Sequence, residues 1–185
     1  MKKILGVLLA LSLASAVFAA ETVRIGLMAP LTGPWASEGQ EMKQIVELLA
    51  DQLNAKGGTQ FEIVAEDDAG DPRTASLAAQ RLSTKNVVAV VGTYGSSITE
   101  ASQSIYDESE IIQIATGSTA VRLTEKGLNF FFRTCPRDDE QGRVAAKTIM
   151  SNGWKKVAIL HDNTSYAKGL AEEAEGLLKK EGVEV

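Results

Sequence analysis

The chain has 185 residues, of which 44% are hydrophobic, 23% charged and 5% aromatic, and its formal net charge is −5. That profile fits a soluble α/β protein and excludes intrinsic disorder, collagen-like repeats and a disulfide-stapled miniprotein. No basic excess exists to neutralise phosphates, so nucleic acid is not an expected partner.

Residues 1–19 read as a signal peptide. Lys2 and Lys3 form a positive start, Ile4 to Ala16 is almost continuously apolar, and small residues place cleavage after Ala19, with Ala14-Ser15-Ala16 as a second candidate. The apolar run is short for a membrane span, and an N-terminal anchor helix is the alternative. No Cys lies near the cleavage point, so a lipoprotein is not expected. Export predicts a periplasmic location.

After the leader, apolar runs and helical patterns alternate. Val23 to Ala29 reads as a buried strand that ends in the turn Pro30-Leu31-Thr32-Gly33-Pro34. Met42, Ile45, Val46, Leu49 and Leu53 recur at helical spacing from Glu41 to Lys56, and Gly57-Gly58 ends that helix. Phe61 to Ala65 is a second strand. Asp71 as cap and Pro72 at the first helical position open a helix to about Thr84.

Val87 to Val91 is continuous and β-branched, as a central parallel strand covered on both faces requires. Ser97-Ile98-Thr99-Glu100 has capping-box spacing and predicts a helix to about Tyr106. Ile111 to Ala115 and Asn129 to Arg133 are further strands. From Asp138 the rhythm restarts: a helix from Asp139 to about Ser151, a strand from Lys156 to Leu160, and a helix from about Tyr166 to Lys180. Val183 to Val185 reads as the start of another strand. The expected fold is therefore α/β, a doubly wound parallel sheet with right-handed crossovers in residues 20–135, followed by the beginning of a second similar lobe in residues 136–185. Two strands cannot bury a two-faced sheet, so the second unit is expected to be incomplete as written.

In such sheets ligands lie beyond the carboxyl ends of the strands, where strand order reverses. The loops Thr32–Gly39, Gly92–Ser97 and Thr116–Thr119 all follow strands and should share that edge. Ser96 also precedes a helix whose free N–H groups favour an anion. Other chemistry has little support. Cys135 is the single cysteine and His161 the single histidine, which gives no metal cluster and no nucleophile–base pair. Glu66-Asp67-Asp68 could be a carboxylate site, but acidic residues after a strand more often bond loop N–H groups and cap the next helix. Gly92-Thr93-Tyr94-Gly95-Ser96 lacks the spacing of a phosphate loop or a nucleophile elbow. No cofactor is expected, and the chain is not expected to be an enzyme.

Seven segments together resemble one family: IGLMAPLTGPWASEGQ (25–40), NAKGG (54–58), EDDAGDP (66–72), VVGTYGSS (90–97), ATGSTA (115–120), FRTCPRDDEQG (132–142) and HDNTSYAKGLAEEAE (161–175). In order and spacing the chain resembles the N-terminal half of type I periplasmic binding proteins of the leucine/isoleucine/valine class, the solute receptors of branched-chain amino-acid ABC transporters. The resemblance implies a bilobed, Venus-flytrap protein that traps an amino acid at a hinge and delivers it to a membrane permease. A monomer is expected.

Carried over by position, the resemblance implies that Ser96 binds the ligand carboxylate, with Ser97 left to cap the helix. The backbone of Gly117 and the hydroxyl of Thr119 would hold the α-amino and carboxylate groups, and Tyr166 would close over the ligand from the second lobe. Some relatives carry an aromatic just before the last glycine of the first loop. Here that position is Glu38, and Trp35 stands three residues earlier, which bears on side-chain preference. Two alternatives accompany the transport reading: a ligand-sensing regulatory receptor of the same fold, such as an amide sensor, and an exported enzyme. The signal peptide favours transport over a cytoplasmic sensor.

Overall fold

A computed structural model describes residues 21–185 of the protein, so the expected leader lies outside the described residues. Strand β1 (Thr22–Ala29) leads through helix α1 (Ala36–Asn54) to β2 (Gln60–Asp67), and α2 (Pro72–Ser83) leads to β3 (Val87–Val91). Helix α3 (Ser96–Glu108) precedes β4 (Ile112–Ala115), and a 3₁₀ turn at Val121–Thr124 precedes β5 (Phe131–Arg133). The chain then forms α4 (Asp138–Ser151) and α5 (Ser165–Lys180).

The five strands form one parallel sheet in the order β2-β1-β3-β4-β5. Chain direction across the sheet reverses after β2, so right-handed crossovers put α1 on one face and α2 on the other. Helix α3 packs beside α2. The main core fills the α2–α3 side, from Met28, Val87 and Val90 of the sheet to Leu82, Ile98 and Tyr106 of the helices. Alanines 75, 78 and 79 let α2 approach the sheet closely. Gly26 sits in the same packing, where a Cβ would stand 2.9 Å from a Val90 methyl on the neighbouring strand and 3.4 Å from Leu82 of α2. Each large apolar side chain buried here contributes roughly 1.5–3 kcal/mol.

The start of α2 follows the sequence expectation: Asp71 Oδ1 accepts from Thr74 N–H at 2.8 Å, and Pro72 occupies the first turn. Helix α1 starts earlier than its apolar spacing indicated. Met42 and Val46 are half-buried and Ala50 is buried, but Ile45, Leu49 and Leu53 are exposed, as is Leu48. On the same sheet face Ile112 and Phe132 are also exposed, because α1 packs on β1 and β2 and, among the described residues, no other helix covers that face.

Helices α4 and α5 pack on each other around Ala146, Leu178 and Val183. The expected strand from Lys156 to Leu160 does not form. Lys156 makes a single parallel bridge to Glu184, held by Val157 N–H to the Glu184 carbonyl and Glu184 N–H to the Lys155 carbonyl, both 2.9 Å. A ladder needs a neighbour of comparable length, and the facing segment Val183–Val185 reaches only that first pair. Among the described residues no helix is long and apolar enough to cross a membrane.

Candidate ligand-binding site

Strand order reverses between β1 and β3, and the loops that leave those two strands part there to open a cleft of about 480 Å³. That is the size of pocket that holds a small molecule. One side is built from Trp35 after β1, Gly70 after β2, Tyr94 to Ser97 after β3, and Gly117 and Thr119 after β4. Facing it are Asp162, Thr164, Ser165 and Tyr166, at and before the start of α5. Five residues singled out in the sequence (Trp35, Ser96, Gly117, Thr119 and Tyr166) thus line one cleft.

Glycines at the strand ends let the loops converge. At Gly92, with φ of 107°, a Cβ would sit 2.0 Å from the Met28 carbonyl oxygen, so no side chain fits. Beneath the cleft, buried hydroxyls form a chain. Thr93 and Thr99 share a hydrogen bond, Thr99 donates to Ser118 Oγ at 2.6 Å, and Ser118 donates to the Gly95 carbonyl at 2.9 Å. These bonds satisfy groups that would otherwise be costly to bury, and they pin the loops after β3 and β4 together.

The capping box expected at Ser97 to Glu100 does not form. Gly95, at φ 96°, takes the cap position with no side-chain cap, and the helix begins at Ser96. Glu100 instead pairs with Arg122 at 2.7 Å and Lys126 at 3.2 Å. With no side chain across the helix start, the backbone N–H groups of Ser96, Ser97 and Ile98 have no protein acceptor among the described residues. Those N–H groups sit at the positive end of the helix.

Two residues beside them at the cleft wall carry hydroxyls with unused hydrogen-bonding capacity, although both are buried. Ser96 Oγ accepts from Ala120 N–H at 3.2 Å and leaves its own proton free to donate. Thr119 Oγ1 is buried without a hydrogen-bond partner. It lies near Asp138 and favours the charged form of that carboxyl, but at a geometry short of a hydrogen bond. Burial dominates at Asp138 and pushes its carboxyl up. Gly117 directs its N–H to the Thr93 carbonyl at 3.3 Å.

Tyr94, Asp162, Thr164 and Ser165 were not singled out from the sequence. Asp162 Oδ1 accepts from Thr164 N–H at 2.9 Å, and Thr164 Oγ1 caps α5 by accepting from Ala167 N–H at 3.1 Å. Asp-x-Thr ahead of a helical run is the local signal that could have marked this turn. Ser165 also accepts a hydrogen bond from Arg122, which joins the two sides of the cleft.

The remaining candidates have structural partners. Asp67 accepts from Leu31, Thr32 and Ala69 N–H groups, and these bonds with the Thr32 hydroxyl outweigh burial and hold its carboxyl low. Burial likewise works to raise Glu66, but bonds from Lys85 and Arg81, both 2.6 Å, hold it below the usual range. His161 Nδ1 accepts from Asn163 N–H at 3.1 Å, away from the cleft. Among the described residues no group of three or more His, Cys, Asp or Glu is arranged to hold a metal ion.

Residues 22–185 match the family described as periplasmic binding protein. The chain is 40% identical over 165 residues to a Leu/Ile/Val-binding protein homolog 2 of Brucella abortus, an alignment covering 86% of this chain and 44% of the relative. It superposes with a TM-score of 0.81, at 28% identity, on the branched-chain amino acid transporter substrate binding protein LivJ of Streptococcus pneumoniae in complex with isoleucine, covering 86% of this chain and 47% of that one. An ABC transporter solute binding protein from R. palustris in complex with 4-hydroxybenzoate gives a TM-score of 0.80 at 26% identity, covering 89% and 45%. The chain spans about half the length of the curated relatives it matches.

Proposed function

The chain belongs to the periplasmic binding proteins, and from that premise we propose that it is the solute receptor of an ABC transporter, taking an amino acid between two lobes for delivery to an inner-membrane permease. The family is one of binding proteins rather than enzymes. The observation that carries the reading is the open start of α3. Unpartnered N–H groups, a Ser96 hydroxyl free to donate and a buried, unpartnered Thr119 hydroxyl lie together at one wall of the cleft. A carboxylate leaving water needs several donors, and a helix start with two hydroxyls supplies them. The Gly117 carbonyl and the Asp162 carboxylate supply acceptors for an ammonium group.

The division into a first lobe through residue 135 and a second from residue 136, the export of the protein to the periplasm, and its action as a monomer belong to the same proposal. The branched-chain class of ligand is supported by the Brucella relative's name and by the isoleucine complex of the streptococcal protein. The 4-hydroxybenzoate complex extends the candidates to aromatic acids. Calorimetric titration of the protein at its natural length with leucine, isoleucine, valine, phenylalanine and 4-hydroxybenzoate tests the reading. Saturable binding of at least one is expected, and no heat from any of them would contradict it.

A further inference from the structure

Among the described residues, the large apolar side chains that line the cleft are all aromatic. Trp35, Tyr94 and Tyr166 face it, and among the described residues no Val, Leu, Ile or Met side chain does. Trp35 and Tyr94 form an edge-to-face pair with ring centroids 5.6 Å apart and planes at 77°. Both rings are seated on bare backbone. A Cβ on Gly70 would lie 2.9 Å from the Trp35 ring, one on Gly95 3.2 Å from it, and one on Gly117 2.6 Å from the Tyr94 ring. The rings therefore occupy space that any side chain at those glycines would take, and packing fixes their orientation before a ligand arrives.

From this geometry we infer that the ligand is a carboxylate that carries an aromatic ring, and that Tyr94 is the residue that selects it. The inference rests on the proposed reading that α3 and Thr119 receive a carboxylate, and it departs from the branched-chain class. Two rings at nearly a right angle leave a corner in which a flat group meets one ring offset-stacked and the other edge-on, the two arrangements that aromatic quadrupoles favour. A branched aliphatic chain gains contact area in that corner but none of the quadrupolar attraction. Tyr166, on the opposite side and partly exposed, supplies a third ring. A ring–ring pair adds about 2- to 10-fold in affinity beyond the area it buries.

The test uses the protein at its natural length and three probes: phenylalanine, 3-phenylpropanoate and leucine. The wild type should bind at least one ring-bearing probe more tightly than leucine. Comparison of phenylalanine with 3-phenylpropanoate then tells whether the natural source is an amino acid or a simple acid. Tyr94→Leu should lower the ring-to-leucine affinity ratio by about 2- to 10-fold, while Tyr94→Phe, which keeps the ring, should preserve it. Trp35→Leu is the second variant, should Tyr94→Leu fail to fold, and should move the ratio the same way. Leucine binding more tightly than both ring-bearing probes, or a ratio that neither leucine substitution moves, would overturn the inference and leave the carboxylate reading standing. Failure of all three probes, and of isoleucine, valine and 4-hydroxybenzoate as well, to bind would overturn both.

Discussion

Ser96 Oγ accepts a hydrogen bond from the Ala120 N–H at 3.2 Å and thereby ties the loop after β3 to the loop after β4. Both residues are about 1% exposed, so that N–H has no water to turn to. Ser96→Ala should therefore cost about 1–3 kcal/mol of stability through the orphaned Ala120 N–H, apart from any effect on ligand. Thr119→Val removes a hydroxyl with no protein partner and should leave stability within about 0.5 kcal/mol of wild type or raise it. Denaturant unfolding of the ligand-free proteins separates the two.

Asp68 is fully buried, and burial pushes its carboxyl up to about 6, aided by Asp67 and opposed by the Gly70 N–H bond. A carboxyl raised on folding favours the protonated native state. Its contribution is thus present below its ordinary 3.8 and is lost as pH rises through about 6. Thermal unfolding from pH 4 to 7 should show wild type losing stability relative to Asp68→Asn across that window. Parallel curves would contradict this.

Arg122 links the two sides of the cleft, pairing with Glu100 of α3 and donating to Ser165 at the start of α5. Opening of the cleft would break the Ser165 bond while the Glu100 pair persists. Ser165→Ala should therefore shift the ligand-free protein towards an open form and weaken binding by a few-fold, with small-angle scattering recording a larger radius of gyration. The Arg122–Ser165 hydrogen bond is exposed and adds little stability, so Tm should change little.

The exposed set Ile45, Leu48, Leu49, Ile112 and Phe132 lies on or beside the sheet face that α1 only partly covers. The 185-residue chain expressed alone should bind an apolar dye and self-associate, since contiguous apolar surface of this kind is seldom left to water. Phe132→Lys with Leu48→Lys should reduce both, as measured by dye fluorescence and sedimentation.

The strand–helix order was legible because each strand is centred on a short apolar or β-branched run, Val87 to Val91 most clearly, although Val88, Ile112 and Phe132 prove exposed and only the α2–α3 side of the sheet is well covered. Ser96, Gly117, Thr119, Trp35 and Tyr166 were singled out through the ordered motifs, not through spacing, and the fold brings all five to one cleft. The capping box misled because pattern cannot register that Gly95 would adopt a positive φ and take the cap position. Lys156 to Leu160 has strand composition, but its state depends on a neighbour, and among the described residues only Glu184 pairs with it. Tyr94 was hidden inside a glycine-rich turn. The role proposed for it depends on Gly117 and Trp35, which are distant in sequence and adjacent only once the sheet is wound.

We propose that the start of α3 and the Thr119 hydroxyl grip the carboxylate of the ligand. Thr119→Val tests it most directly, because the hydroxyl it removes makes no hydrogen bond within the protein and only lies near the Asp138 carboxyl. A hydrogen bond to a charged group is worth roughly 1.5–3 kcal/mol, so calorimetry on the natural-length protein should record a loss of about 10- to 100-fold, equal for every carboxylate ligand that binds. Wild-type affinity in Thr119→Val, or a loss confined to one ligand side chain, would contradict the account.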